Sequence, residues 1–117
     1  MKNGLATVAP FTSLGASLAA PPAHALSGAE YLQLDTTSRA LHAMGMVEAF
    51  KYADDLSGDG SLGWLFDCVG GWSGTQLEAV FSNYLETRPG SQQYRAPSLL
   101  VSAVGHQCPN APMWAKN

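Results

Sequence analysis

Five apolar side chains fix the character of this chain more firmly than anything else in it. Leu77, Val80, Phe81, Tyr84 and Leu85 recur at i, i+3, i+4, i+7 and i+8, the spacing of one face of an α-helix. The ends of that helix are written beside it. Ser73 is placed to cap the first free amides, and Gln76, three residues on, to reach back in a capping box. Trp72 before the cap can pack on Leu77 as a hydrophobic staple. Thr75 with Glu78 offers a competing start two residues later. Pro89-Gly90 closes the segment, because proline cannot extend the hydrogen-bond ladder. Glu78 and Glu86, eight residues apart, read as a solvated face.

The same period continues on either side. Leu41, Met44, Val47 and Phe50, with Met46 and Ala49 adjoining, predict a helix over Ser38–Tyr52 with one broad buried face. Tyr31, Leu32 and Leu34 suggest a shorter turn over Gly28–Leu34. Pro97 suits the first turn of a last helix running through Leu99, Leu100, Ala103 and Val104 to Gln107. Strand-like alternation is missing throughout. The expected fold class is all-α, a bundle of about four helices.

Residues 1–25 differ from the rest. Lys2 is the one charge before Glu30, a small and apolar stretch follows over Leu5–Ala20, and Ala23-His24-Ala25 forms an A-x-A cleavage pattern. The reading is a signal peptide, residues 1–25, followed by a single domain over residues 26–117. A disordered Ala-rich arm is the plainer alternative. Removing Lys2 leaves five basic against nine acidic residues, a net charge of −4. That charge argues against nucleic acid as a partner, and no apolar run after the leader reaches membrane-spanning length. A domain of about ninety residues is small enough to gain from a covalent staple. Cys68 and Cys108 are the whole thiol inventory. In an exported protein they predict one disulfide, since no C-x-x-C occurs and His106 beside Cys108 falls short of a zinc ligand set.

The order of features in the C-terminal half resembles a known family. Cys68, then Trp72-Ser73-Gly74-Thr75-Gln76-Leu77, Val80, Tyr84-Leu85, Arg88-Pro89, Pro97, Leu100, Ala103-Val104 and Cys108 are similar to the Rap/Tai proteins. Met44-Gly45-Met46-Val47-Glu48-Ala49 resembles that family's earlier helix, with Met46 at an aromatic position and Ala49 at a glycine. Many relatives carry a second cysteine pair, whose places here fall near Leu34 or Asp35 and at Ala43. Pro109 follows the last cysteine where relatives have proline before it. The resemblance implies a helical, often dimeric periplasmic immunity protein of type VI secretion. Such a protein binds and neutralises a peptidoglycan-cleaving amidase toxin and performs no catalysis.

The stretch from Asp54 to Asp67 is the most suggestive polar one. Asp55-Leu56-Ser57-Gly58-Asp59-Gly60-Ser61-Leu62 matches the opening of a calcium loop, but Phe66 stands where the closing carboxylate belongs. The other readings are a solvated connector between helices and a protein-contact loop in which Asp54, Asp55 and Asp59 complement a basic cleft, with Trp64 as an aromatic anchor. Trp64, Leu65 and Phe66 read first as core around the disulfide, with the exposed anchor as the alternative for Trp64. Met113 and Trp114 lie in a Pro-flanked tail, residues 109–117, open between disorder and packing across a homodimer. His42 and His106 read as structural, and no G-x-S-x-G elbow occurs. The expectation is therefore a binding protein with no catalytic residues, metal ligands or cofactor. The alternative function is an exported helical stress protein of the Hde type, which usually shows denser charge than the 13% here.

Overall fold

The computed structural model describes residues 25–116, so the expected leader lies outside the described residues except for Ala25. Five α-helices follow in order: α1 Gly28–Leu32, α2 Thr36–Ser57, α3 Gly63–Val69, α4 Gly74–Glu86 and α5 Ala96–Gln107. Two 3₁₀ turns, Pro89–Ser91 and Met113–Lys116, complete the fold. Among the described residues there is no strand, only an isolated antiparallel bridge between Ser27 and Arg95. The fold is all-α.

Local chemistry sets the helix starts. In α4 the Gln76 amide donates to Ser73 Oγ at 3.1 Å and the Ser73 amide to Gln76 Oε1 at 2.8 Å. The Ser73 start prevails over the Thr75 one, and a second capping box, Ser27 with Glu30, opens α1. Asp35 caps α2 by accepting from the Ser38 amide at 2.8 Å. That hydrogen bond, with a second from the Ser38 hydroxyl, holds the exposed Asp35 carboxyl below the usual carboxylate range. Pro97 lies in the first turn of α5.

The core is a slab between α4 and α5, with α2 across α4. Tyr31, Leu65, Phe81, Leu85, Leu100 and Val104 are its largest fully buried side chains. Val80 of the predicted α4 face is half-buried, while Leu77, Phe81, Tyr84 and Leu85 are buried. The α2 face differs from expectation. Ala43 and Met46 are buried and Val47 and Phe50 half-buried, but Leu41, Met44 and Ala49 are exposed. The reason is geometric: a step of three residues turns 300°, so Leu41, Met44, Val47 and Phe50 wind halfway round the helix and cannot share one face.

The disulfide expected from sequence is present. Cys68 in the last turn of α3 joins Cys108 at the end of α5, with Cα atoms 6.0 Å apart. The segment after α5 is ordered, ending in the 3₁₀ turn Met113–Lys116, with Met113 and Trp114 exposed. It folds back on α5, burying Ala111 and Ala115. This close approach depends on Gly105, because a Cβ there would run into the Ala115 carbonyl. At the other end, the amides of Gly28, Ala29 and Ala96 donate to the carbonyls of Tyr94, Gln92 and Leu26, stitching the start of the body to the loop before α5.

Candidate functional site

α2 is longer than its sequence pattern suggests, running five residues past Tyr52 to Ser57 before Gly58 ends it in the left-handed region at φ 68°. The candidate calcium turn is consequently not formed. Asp55, Leu56 and Ser57 are helical, and the Ser57 hydroxyl is used locally, donating to the Asp54 carbonyl and accepting from the Asp59 amide, each at 3.2 Å. Among the described residues no group of three or more His, Cys, Asp or Glu could hold a metal ion.

Asp54 and Asp55 therefore sit on the last turn of α2 and Asp59 just beyond it. Lys51, Tyr52, Ala53, Asp55, Leu56 and Ser57 are all exposed, and Asp54 is half-buried. This end of α2 is an arm with little packed around it, carrying three acids where the helix dipole already favours cations. Trp64 stands apart from that arrangement. Its ring meets Trp114 edge-on at 6.1 Å, and its indole nitrogen is buried with no hydrogen-bond partner. The ring is half-buried and packs on the core.

Two open grooves flank α2. One, of about 480 Å³, lies between α2, the end of α3 and the start of α4. Met44, Val47, Phe66, Val69, Trp72 and Leu77 form its apolar lining, and Glu48, Lys51 and Asp67 supply charge. The Lys51 ammonium lies 5.5 Å from the Phe66 ring centroid, a cation–π contact, and among the described residues it forms no ion pair. The Met44 thioether lies over the Gly74 backbone, where a Cβ would turn that flexible, exposed side chain aside. The second groove, about 670 Å³ and shallower, runs along the other flank beside Leu26, Leu34, Leu41, Gly45 and Ala49.

One polar network lies in the interior. Arg39 approaches Glu78 at 3.6 Å and donates to Ser82 Oγ at 3.1 Å, while the Ser82 hydroxyl donates to Glu78 at 2.5 Å. Arg39 Nε is buried with no hydrogen-bond partner among the described residues. The Tyr31 hydroxyl donates to the Arg39 carbonyl at 2.9 Å, and burial, reinforced by the Glu78 charge, pushes its ionisation well above the usual range. Glu78 is thus no solvated residue: it bridges α4 to α2. His42 lies beside Tyr31, its ring 6.1 Å away, and His106 stacks near Tyr84 at 5.4 Å. Ser82 is buried with a carboxylate partner. The network couples α1, α2 and α4.

Sequence reasoning located the acids but missed the groove. Its walls come from Met44 on α2, Phe66 on α3 and Trp72 in the connection to α4, and the signal in the sequence was the three-residue step of Leu41, Met44, Val47 and Phe50, which cannot keep all four on one buried face. No family model, curated protein or solved structure matches the chain.

Proposed function

We propose that the protein is an exported binding protein of the Rap/Tai kind, an immunity protein that neutralises a peptidoglycan amidase of type VI secretion by covering its active site. The observation that carries this reading is the groove between α2, α3 and α4. It has an apolar floor, a rim with both signs of charge, and a lysine poised over an aromatic ring, which are the components of a protein-binding surface. A protruding loop of an enzyme can place an apolar side chain in it, with Glu48, Lys51 and Asp67 setting orientation. The acidic arm, with Asp54, Asp55 and Asp59, stands ready to meet basic residues beside the enzyme's cleft and to speed the encounter.

The disulfide supports export, because such bonds persist in oxidising compartments. The test is to mix the purified protein with a candidate cell-wall amidase and follow peptidoglycan hydrolysis. Stoichiometric inhibition that is lost in Lys51→Glu and Asp67→Lys, both surface changes, supports the reading. Failure to inhibit any amidase encoded beside it removes the specific role.

A further inference from the structure

Two of the methionines among the described residues have plain surroundings. Met46 is 9% exposed and belongs to the core, and Met113 is 77% exposed on the tail. Met44 differs from both. It is 44% exposed, it lines the groove between α2, α3 and α4, and its thioether rests on the bare backbone of Gly74, the first residue of α4. That place is rich in hydrogen-bond donors. The capping box occupies the amides of Ser73 and Gln76. The amides of Gly74 and Thr75, which a helix start cannot satisfy internally, have no partner among the described residues. A thioether accepts hydrogen bonds only weakly, so Met44 in its reduced form lies beside these donors without using them.

We infer that Met44 is an oxidation site, at which hydrogen peroxide converts the thioether to the sulfoxide and the new oxygen is held by the free amides at the start of α4. A sulfur lone pair attacks one oxygen of the peroxide, and the S–O bond forms as the O–O bond breaks. The departing hydroxide takes the proton from the oxygen on sulfur and leaves as water. Sulfur loses two electrons and the peroxide gains them, so no further reactant is consumed.

Three features favour the product here. The Met44 side chain is open to solvent, whereas the core shields Met46. A sulfoxide oxygen carries partial negative charge and accepts hydrogen bonds strongly, and the amino end of a helix stabilises such charge. Gly74 lets that oxygen approach the backbone, since a Cβ there would turn the side chain aside. Met113 is also open to solvent, so exposure does not set Met44 apart; the donors beside its sulfur do.

The consequence is local. Oxidation turns an adaptable apolar side chain into a polar, chiral one. The groove loses part of its apolar lining, and α2 gains a hydrogen-bonded tie to α4. A methionine sulfoxide reductase reverses the change. A partner's apolar side chain would find the oxidised floor less welcoming; that step rests on the amidase reading, whereas the oxidation and the tie belong to the free chain.

Peroxide treatment of the full chain without any partner tests it, with fragment masses locating the added oxygen and water-exchange NMR following the amides. Met44 should gain one oxygen at least about tenfold faster than Met46. Exchange at the Gly74 and Thr75 amides should then slow at least about fivefold, and the reductase should restore it. Met44→Leu, an exposed change that keeps an apolar side chain, should abolish the slowing, and Met113→Leu should leave it intact. Met44 oxidising no faster than Met46 would overturn the inference. So would unchanged exchange at Gly74 and Thr75 once Met44 is oxidised, or slowing that persists in Met44→Leu.

Discussion

Glu78 and Arg39 show how much a single position can hide. From spacing alone Glu78 looks like a solvated helix residue, yet its side chain is nine-tenths buried against Arg39 and Ser82. Nothing local distinguishes it, because its partner is far away in sequence and only the crossing of α2 over α4 brings them together. Such a pair is costly to halve and cheap to replace whole. Glu78→Ala should lower the unfolding free energy by about 3 kcal/mol, whereas Arg39→Met with Glu78→Leu should lower it much less; urea titrations of the cycle separate the two. Tyr31 adds a pH dependence. Its ionisation is raised in the folded state, so its contribution is intact below the ordinary value of 10.0 and is lost as pH rises beyond it. Stability measured from pH 8 to 11 should fall above about 10, and Tyr31→Phe should flatten that fall. Asp35 has the opposite sign. Its carboxyl is lowered on folding, so its cap is intact above the ordinary value of 3.8 and weakens as pH drops below it.

At the scale of elements, the helices with caps were legible and the rest less so. Ser73, Gln76 and Pro89 delimit α4 because each performs a local task that the sequence alone implies. Ser73→Ala should cost about 1 kcal/mol, read by thermal melts. α3 was not foreseen as a helix. It is seven residues long with no side-chain cap and is held by Leu65 and the Cys68–Cys108 bond, both long-range facts. The end of α2 was missed for the converse reason, since Asp54 and Asp55 oppose the dipole and discourage a helical reading. The tail depends on a glycine whose importance appears only in three dimensions. Gly105→Ala should gain helix propensity yet expel residues 109–116 from α5, and Trp114 emission should shift to the red while far-ultraviolet dichroism holds.

For the molecule as a whole, one covalent bond joins the element with the weakest local support to the end of its most buried helix. Reducing Cys68–Cys108 releases a loop whose closure is worth roughly 3–4 kcal/mol, so the melting midpoint should drop by more than about 10 °C. The class of fold could be read from the chain because helical periodicity is local. The groove could not, because Met44, Phe66 and Trp72 come to line one space only after α2, α3 and the start of α4 have packed. The seam at the start of the body has a consequence for maturation. The Ala25 carbonyl accepts from the Arg95 guanidinium at 3.1 Å, and the Leu26 carbonyl from the Ala96 amide at 2.7 Å. A peptidase needs its target as a free, outstretched strand, and here the peptide link between those two residues is clasped at both sides. Under the export proposed above, trimming at that link would belong to the moment before the chain has closed up.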